Sequence, residues 1–302
     1  MPMSETLIKD IQESNPALLE SLAEAEQAVA LPKLVDRLQY TGKDLAREEA
    51  EDAARLAKEE KAPRIFLPSA SPGVTTIFFP RGEVYSDHID YLFGVAKEMR
   101  KEYQTILGVE GVDLQIDAPD LAMGYHLATD WSMDFYEALP RHVDAINEAI
   151  EGLPRERIRV HYCYGNYLAS HVYDANFAKI LPELLRLKVG TIIGEVANPT
   201  HQGDLLVFED YIKEHGWPKD LNFAASVIDV KTPFVESPRT VAMRLKIYAE
   251  IGISPENLLA GTDCGFETFA GINNVPYKVG LQKLRAEAEG TALASKILGL
   301  EQ

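Results

Sequence analysis

A histidine and two cysteines have the types and spacing that best support metal chemistry in this sequence. His161 and Cys163 are two residues apart at the end of the apolar run Ile158–Tyr162, and side chains at i and i+2 of a strand point to the same face. An imidazole beside a thiolate makes half of a tetrahedral zinc site. Cys264 follows the last apolar run in the same way, and Glu195 ends another run, where an unpaired carboxylate would be costly. From the residues alone, the His-Cys pair could also be buried without a metal, and Glu195 could form a salt bridge or contact a substrate.

Strands must position these side chains, and short apolar runs alternate with longer amphipathic stretches along the chain. This alternation predicts parallel strands joined by helical crossovers. Polar residues follow nearly every run, which favours a (β/α)₈ barrel, since the carboxyl ends of its strands converge on one mouth. No Gly-x-Gly-x-x-Gly or Walker-type loop supports nucleotide binding. We therefore predict an α/β, TIM-barrel-like fold with strands at Arg64–Leu67, Val112–Ile116, Ile158–Tyr162, Thr191–Glu195, Ala224–Asp229 and Leu258–Gly261.

The predicted strands are two short of a closed barrel, so we expect a barrel that lacks the first two βα units. We expect a helical N-terminal segment at residues 1–61 and the barrel domain at residues 62–302. A barrel without its first strands exposes sheet edges that must be covered. The N-terminal segment, a second copy or a separate partner subunit could cover them, and we favour a homo-oligomer or a partner subunit. The apolar positions that give the segment a face able to bury are Leu7, Ile11, Leu18, Leu19 and Leu22.

Composition and charge exclude several classes of protein. Apolar residues make up 46% of the sequence and the net charge is −17, so a globular protein is expected, and an anionic surface of this kind would repel nucleic acid and anionic membranes. No apolar window is long enough for a membrane span, and the N-terminus has no signal-peptide pattern. We expect a cytoplasmic location, where both cysteines would remain thiols.

The sequence resembles the zinc-dependent thiol alkyltransferases grouped around cobalamin-independent methionine synthase. The resemblance implies a (β/α)₈ barrel that holds zinc (Zn²⁺) through His161, Cys163, Cys264 and Glu195. It also implies transfer of a methyl or other alkyl group from a small-molecule donor to a metal-activated thiol. The motifs that carry it are HYCYGN (His161–Asn166), GEVANP (Gly194–Pro199), VIDVKTPFVES (Val227–Ser237) and GTDCGF (Gly261–Phe266), supported by LPSASPG (Leu67–Gly73) and LQIDAPDLAM (Leu114–Met123).

The motifs look closer to a short branch of the family, which includes epoxide:coenzyme M transferases, than to methionine synthase itself. Ala118 stands where the family has an acidic residue that helps to hold the amino acid acceptor, and Lys231 replaces a histidine. These departures make methionine synthesis doubtful. The alternatives are a non-catalytic or accessory subunit of a two-chain alkyltransferase, and an epoxide:thiol transferase or lyase.

Further polar residues near the strand ends are candidates for the substrate site. As catalytic groups we predict Asp117, Asp229 and Lys231, with Asp229 and Lys231 forming either an anion-binding pair or a structural salt bridge. Asp117 and Asp120 could receive a substrate amine or position a proton, or could cap helices and form ion pairs. The predicted substrate-binding residues are Ser71, Asp120, Asn166 and Asn198, although Asn near a strand end is commonly a turn former.

Overall fold

The structure is a computed structural model, and it describes residues 3–28, 32, 34–128, 131–267 and 275–300. The chain divides into two compact units. Unit 1 comprises Met1–Tyr162 and Tyr173–Gly190, and unit 2 comprises Cys163–Val172 and Thr191–Gln302. None of the helices described is both long and apolar enough to cross a membrane. Six strands occur among the described residues, the number predicted and two fewer than in a closed (β/α)₈ barrel.

Unit 1 is built around three parallel strands. The register pairs Ala70 with Asp117 between the first two strands, and Asp117 with His161 between the second and third. The middle strand buries Leu114 and Ile116 completely. The elements of unit 1 are α1 (Glu5–Ser14), α2 (Pro16–Ala28), α3 (Lys43–Glu59), β1 (Ile65–Ala70), α4 (Pro72–Phe78), α5 (His88–Leu107), β2 (Val112–Asp117), α6 (Gly124–Leu127), α7 (Phe135–Ala149), β3 (Ile158–Tyr162) and α8 (Phe177–Leu184).

Unit 2 also contains three parallel strands, each followed by a helix. The central strand of the three has every residue buried except half-buried Asn222, because it pairs on both edges. An aromatic cluster of Phe208, Phe223 and Tyr248 packs on its face, with ring centroids 4.8 to 5.6 Å apart. The elements of unit 2 are β4 (Thr191–Gly194), α9 (Leu205–His215), β5 (Asn222–Ile228), α10 (Pro238–Glu250), β6 (Leu258–Thr262) and α11 (Tyr277–Ile297).

The N-terminal helix α1 packs onto the rest of unit 1. Leu7 and Ile11 are 2% and 1% exposed. The backbone N–H of Ser4 donates to the carbonyl of His126 at 2.8 Å, and the Ser4 hydroxyl caps the helix by accepting from the N–H of Leu7. The predicted apolar face of this segment is therefore buried within unit 1 at Leu7 and Ile11.

Candidate metal centre

The two cysteines and the histidine predicted as metal ligands come together in the structure. The ligand atoms of His161, Cys163 and Cys264 all lie within 4.8 Å of one another. His161 lies near the end of β3 and Cys163 directly follows this strand, whereas Cys264 lies two residues beyond β6. His161 and Cys163 are buried, Cys264 is half-buried, and neither cysteine is in a disulfide.

The surroundings of the two thiols suit a cation. A hydrogen bond with Cys264, burial and the charge of Glu195 together raise the pKa of Cys163 well above its ordinary value. Without a cation the Cys163 thiol is therefore protonated, and a metal would favour the thiolate instead. Two sulfur donors and one imidazole nitrogen are a donor set that zinc prefers. The residues present thus fit the zinc ion that the sequence resemblance implies.

Glu195, the predicted fourth ligand, is engaged with neighbouring donors of unit 2. It follows β4 and is completely buried. The N–H of Tyr164 donates to Oε2 at 2.7 Å, Asn198 Nδ2 donates to Oε1 at 2.9 Å, and Lys231 Nζ donates to the same oxygen. Burial raises the pKa of this carboxyl, but the positive charge of Lys231 outweighs burial and the net pKa is lowered. Glu195 is consequently an ionised carboxylate held beside the thiols.

Lys231 pairs with Glu195 rather than with the side chain of Asp229. Burial lowers the pKa of Lys231, but the charge and hydrogen bond of Glu195 outweigh burial and leave the pKa raised. Asp229 instead accepts from the backbone N–H of Lys231 at 2.8 Å and from the hydroxyl of Thr232 at 3.1 Å. The predicted pairing of the Asp229 and Lys231 side chains is therefore corrected. The Asp229 carboxylate accepts hydrogen bonds within the turn after β5, whereas the Lys231 ammonium group binds Glu195, which follows β4.

Asp263 is a functional candidate that is not among the predicted site residues. It is fully buried, and its Oδ1 accepts from the N–H groups of Val196 and Ala197 at 3.0 and 2.7 Å. Burial and the charge of Glu195 raise its pKa to about 7. It thus fixes the loop that carries Glu195. Its position directly before Cys264 in the GTDCGF motif was the signal that could have identified it.

A second residue outside the prediction is Lys283 of α11, which is fully buried. Its Nζ donates to the carbonyl of Asp229 at 2.9 Å, to Glu236 Oε2 at 2.9 Å and to the carbonyl of Phe234. The lysine therefore holds the loop between β5 and α10. No spacing rule in the sequence indicates this role, because the lysine lies far along the chain from that loop.

The two predicted asparagines contact the loops of the site. Asn166 Nδ2 donates to the carbonyl of Gly265 at 2.7 Å, which joins the loops that follow Cys163 and Cys264. Asn198 orients Glu195, and its Oδ1 accepts from the N–H of Thr200 at 3.0 Å. Both interactions favour a supporting role around the candidate ligands.

Ser71 and Asp120 lie in a buried polar network of unit 1. The Ser71 hydroxyl donates to Asp120 Oδ1 and caps α4 by accepting from the N–H of Val74 at 3.0 Å. Asp120 Oδ2 is 2.7 Å from His142 Nδ1, and His142 Nε2 is 2.9 Å from His88 Nε2. All four polar side chains are nearly inaccessible to solvent. This enclosure favours the capping and ion-pair alternative over the predicted substrate contact.

Comparisons with known proteins agree with the resemblance that the motifs indicate. The chain is 27% identical over 252 residues to the methionine synthase of Thermococcus kodakarensis, covering 83% of this chain and 63% of that protein. It is 27% identical over 224 residues to a methionine synthase of Saccharolobus islandicus, covering 74% of this chain and 57% of that protein. The chain therefore spans somewhat more than half the length of these curated relatives. No family model matches it.

Solved structures show the same fold. A B12-independent methionine synthase from Shewanella sp. W3-18-1, in complex with selenomethionine, matches with a TM-score of 0.66 and 19% identity, over 88% of this chain and 70% of that chain. A putative vitamin-B12 independent methionine synthase from Listeria monocytogenes matches with a TM-score of 0.54 and 19% identity, over 88% and 73% of the two chains.

The fold and the site define an α/β, TIM-barrel-like protein with a candidate metal centre of one histidine and two cysteines at strand ends. The chain is similar in sequence to proteins named methionine synthase and in fold to B12-independent methionine synthases, in agreement with the resemblance that its motifs carry.

Proposed function

We propose that the protein is a zinc-dependent transferase that moves a methyl or other alkyl group onto a small-molecule thiol. His161, Cys163 and Cys264 would hold the metal. The observation that carries the proposal is the approach of their three ligand atoms to within 4.8 Å, with neither cysteine in a disulfide. We further propose a cytoplasmic location, where such thiols stay reduced.

Bound zinc would lower the pKa of a coordinated substrate thiol, so that the thiol is present as the nucleophilic thiolate near neutral pH. The two cysteines would supply sulfur ligands, and their negative charge would preserve electron density on the sulfur of the substrate thiol. Lys231 offsets the charge of Glu195 beside them. Glu195 remains a predicted ligand, and to coordinate the metal it would exchange its contact with Lys231 for the ion.

We propose a thiol as the acceptor, and two observations bear on which kind of thiol it is. The relatives named methionine synthase, and the neighbour solved with selenomethionine, support a sulfur acceptor of the homocysteine type. Ala118 supports a thiol acceptor that is not an amino acid, because it replaces the acidic residue that the resemblance associates with an amino acid acceptor. An epoxide as the alkyl donor is compatible with the same site.

Metal analysis of the purified chain tests the proposal directly. We expect about one zinc per chain, because two cysteine sulfurs and one imidazole nitrogen supply three of the four positions that zinc usually fills, and Glu195 or a thiol can supply the fourth. The variant Cys163→Ser/Cys264→Ser should lose the zinc and remain folded. His161→Gln should also lose affinity, whereas the control His215→Gln changes an exposed histidine of α9 and should not. Stoichiometric zinc in the double cysteine variant would overturn the assignment.

Thiol binding gives a second test that does not need the natural donor. A thiol that binds the metal as thiolate should release about one proton near neutral pH. Calorimetry in buffers of different ionisation enthalpy measures this proton. A heat of binding that is independent of the buffer would count against thiol activation.

A second candidate function is that of an accessory subunit in a two-chain enzyme. The unpaired edges of β1 and β6 favour it. Among the described residues, β1 pairs only with β2 and β6 only with β5, while Phe66 and Leu259 on these two strands are 42% and 41% exposed. Unpaired edges with apolar residues invite another strand. We propose that a second copy or a partner subunit covers them. A stable monomer at micromolar concentration in sedimentation, with full zinc and thiol alkylation activity, would refute this proposal.

A further inference from the structure

Asp117 and His161 are direct neighbours on adjacent parallel strands of unit 1. The register of β2 and β3 pairs these two residues, and the N–H of Ala118 donates to the carbonyl of His161 at 2.8 Å. Asp117 Oδ1 lies 3.4 Å from His161 Nδ1. The contact follows from strand pairing, so it is defined by backbone geometry as well as by side-chain rotamers.

The Asp117 carboxylate is held in place although its side chain is 41% exposed. Gln115, two positions earlier on the same face of β2, donates from Nε2 to Asp117 Oδ1 at 2.9 Å. The N–H of Ser71 donates to the carbonyl of Asp117 at 2.9 Å. The His161 ring, by contrast, is 8% exposed and has little freedom to turn away.

A neutral imidazole carries its proton on one nitrogen and offers the lone pair of the other to a metal. A carboxylate beside one ring nitrogen favours the proton on that nitrogen, and this arrangement orients metal-binding histidines and raises their basicity. Here the nitrogen beside the carboxylate is Nδ1, which leaves Nε2 as the donor.

We propose that Asp117 is a positioning residue that holds His161 with its proton on Nδ1 and presents Nε2 to the metal. The proposal rests on the proposed function for the identity of the metal site. It extends the candidate centre beyond its ligands, and the contact of Asp117 with a substrate amine stays a prediction from the sequence.

The proton position can be measured in the metal-free protein. Long-range ¹H–¹⁵N correlation spectra of histidine-labelled protein distinguish the two ring tautomers, and His161→Gln identifies the His161 signals among the seven histidines. We expect the Nδ1–H tautomer in the wild type and a shift towards Nε2–H in Asp117→Ala. The conservative variant Asp117→Asn should retain the wild-type tautomer, because an amide oxygen in the same place can accept from Nδ1–H.

Zinc affinity gives the second measurement. Competition with a chelator should show an affinity loss of about 10- to 100-fold in Asp117→Ala, a smaller loss in Asp117→Asn and none in the control Asp210→Ala, which changes an exposed aspartate of α9. An Nε2–H tautomer in the wild type, or an unchanged zinc affinity in Asp117→Ala, would overturn the inference. If the wild type binds no zinc, the proposed function fails, and the tautomer measurement still decides the pairing of Asp117 with His161.

Discussion

Replacing Lys231 by methionine should destabilise the metal-free protein by about 3–5 kcal/mol, because it leaves a buried carboxylate without its counter-ion. The side chains of Lys231 and Glu195 are 6% and 0% exposed, so water cannot take the place of the ammonium group. The hydrogen bonds to Glu195 from Tyr164 N at 2.7 Å and Asn198 Nδ2 at 2.9 Å remain in the variant. We therefore expect a loss at the lower end, about 3 kcal/mol.

Urea unfolding near neutral pH in the presence of a chelator measures this free energy. The double variant Lys231→Met/Glu195→Gln should recover at least half of the loss, because it removes the uncompensated charge, and the double-mutant cycle isolates the pair. Lys246→Met is the matched control: its partner Glu250 is 57% exposed, and such surface pairs contribute at most about 1 kcal/mol. Equal losses in Lys231→Met and Lys246→Met would refute the argument.

Three further predictions concern stability. Gly73→Ala should cost about 2–3 kcal/mol, since a Cβ there would lie 2.0 Å from Asp120 Oδ2 and 2.3 Å from His142 Nδ1; an unchanged melting temperature would contradict this. Burial and the neighbouring His142 lower the pKa of His88 from 6.5 to about 3, so the unfolded state binds more protons and stability should fall as pH drops below 6.5, by up to about 1.4 kcal/mol per pH unit. His88→Phe should flatten this slope in unfolding measured across pH. Burial, with the charge of Glu236, raises the pKa of Glu287 from 4.5 to about 7, so its burial costs stability as pH rises through that interval. The Glu287→Gln variant should therefore be more stable than the wild type by about 1–3 kcal/mol above pH 7, with little gain at pH 4.5. An equal gain in the free energy of unfolding at both pH values would contradict the titration of Glu287.

The strands β2 to β5 were predictable from the sequence because most of their residues are buried on both faces. Apolar runs bounded by turn-forming residues locate such strands without knowledge of their neighbours. The predicted bounds of β3, Ile158–Tyr162, are those of the structure, and β2 begins at the predicted Val112. The ends of β5 differ by one or two residues, because hydrogen bonds to its neighbouring strands, rather than its own apolarity, decide where it stops.

The grouping of His161, Cys163 and Cys264 was also predictable. Two of the three residues are related by the alternation of a single strand, and the third lies beyond the carboxyl end of another parallel strand. The motif resemblance added the expectation of zinc. Asp263 was visible in the same motif but gave no sign of its partners, since these are backbone N–H groups on a different loop.

Tertiary structure alone decided which charges pair and which side chains are enclosed. The sequence offered Asp229 as the partner of Lys231 because it is two residues away, yet Lys231 reaches Glu195, 36 residues away, after a neighbouring strand. Parallel strands place their carboxyl ends side by side whatever the length of chain between them. Likewise, Asp120 is enclosed by His142 of α7, and the packing of that helix depends on apolar contacts along its whole length. A local sequence pattern indicates which polar residues lie at the end of a strand. Their partners belong to elements that come into contact only in the folded chain.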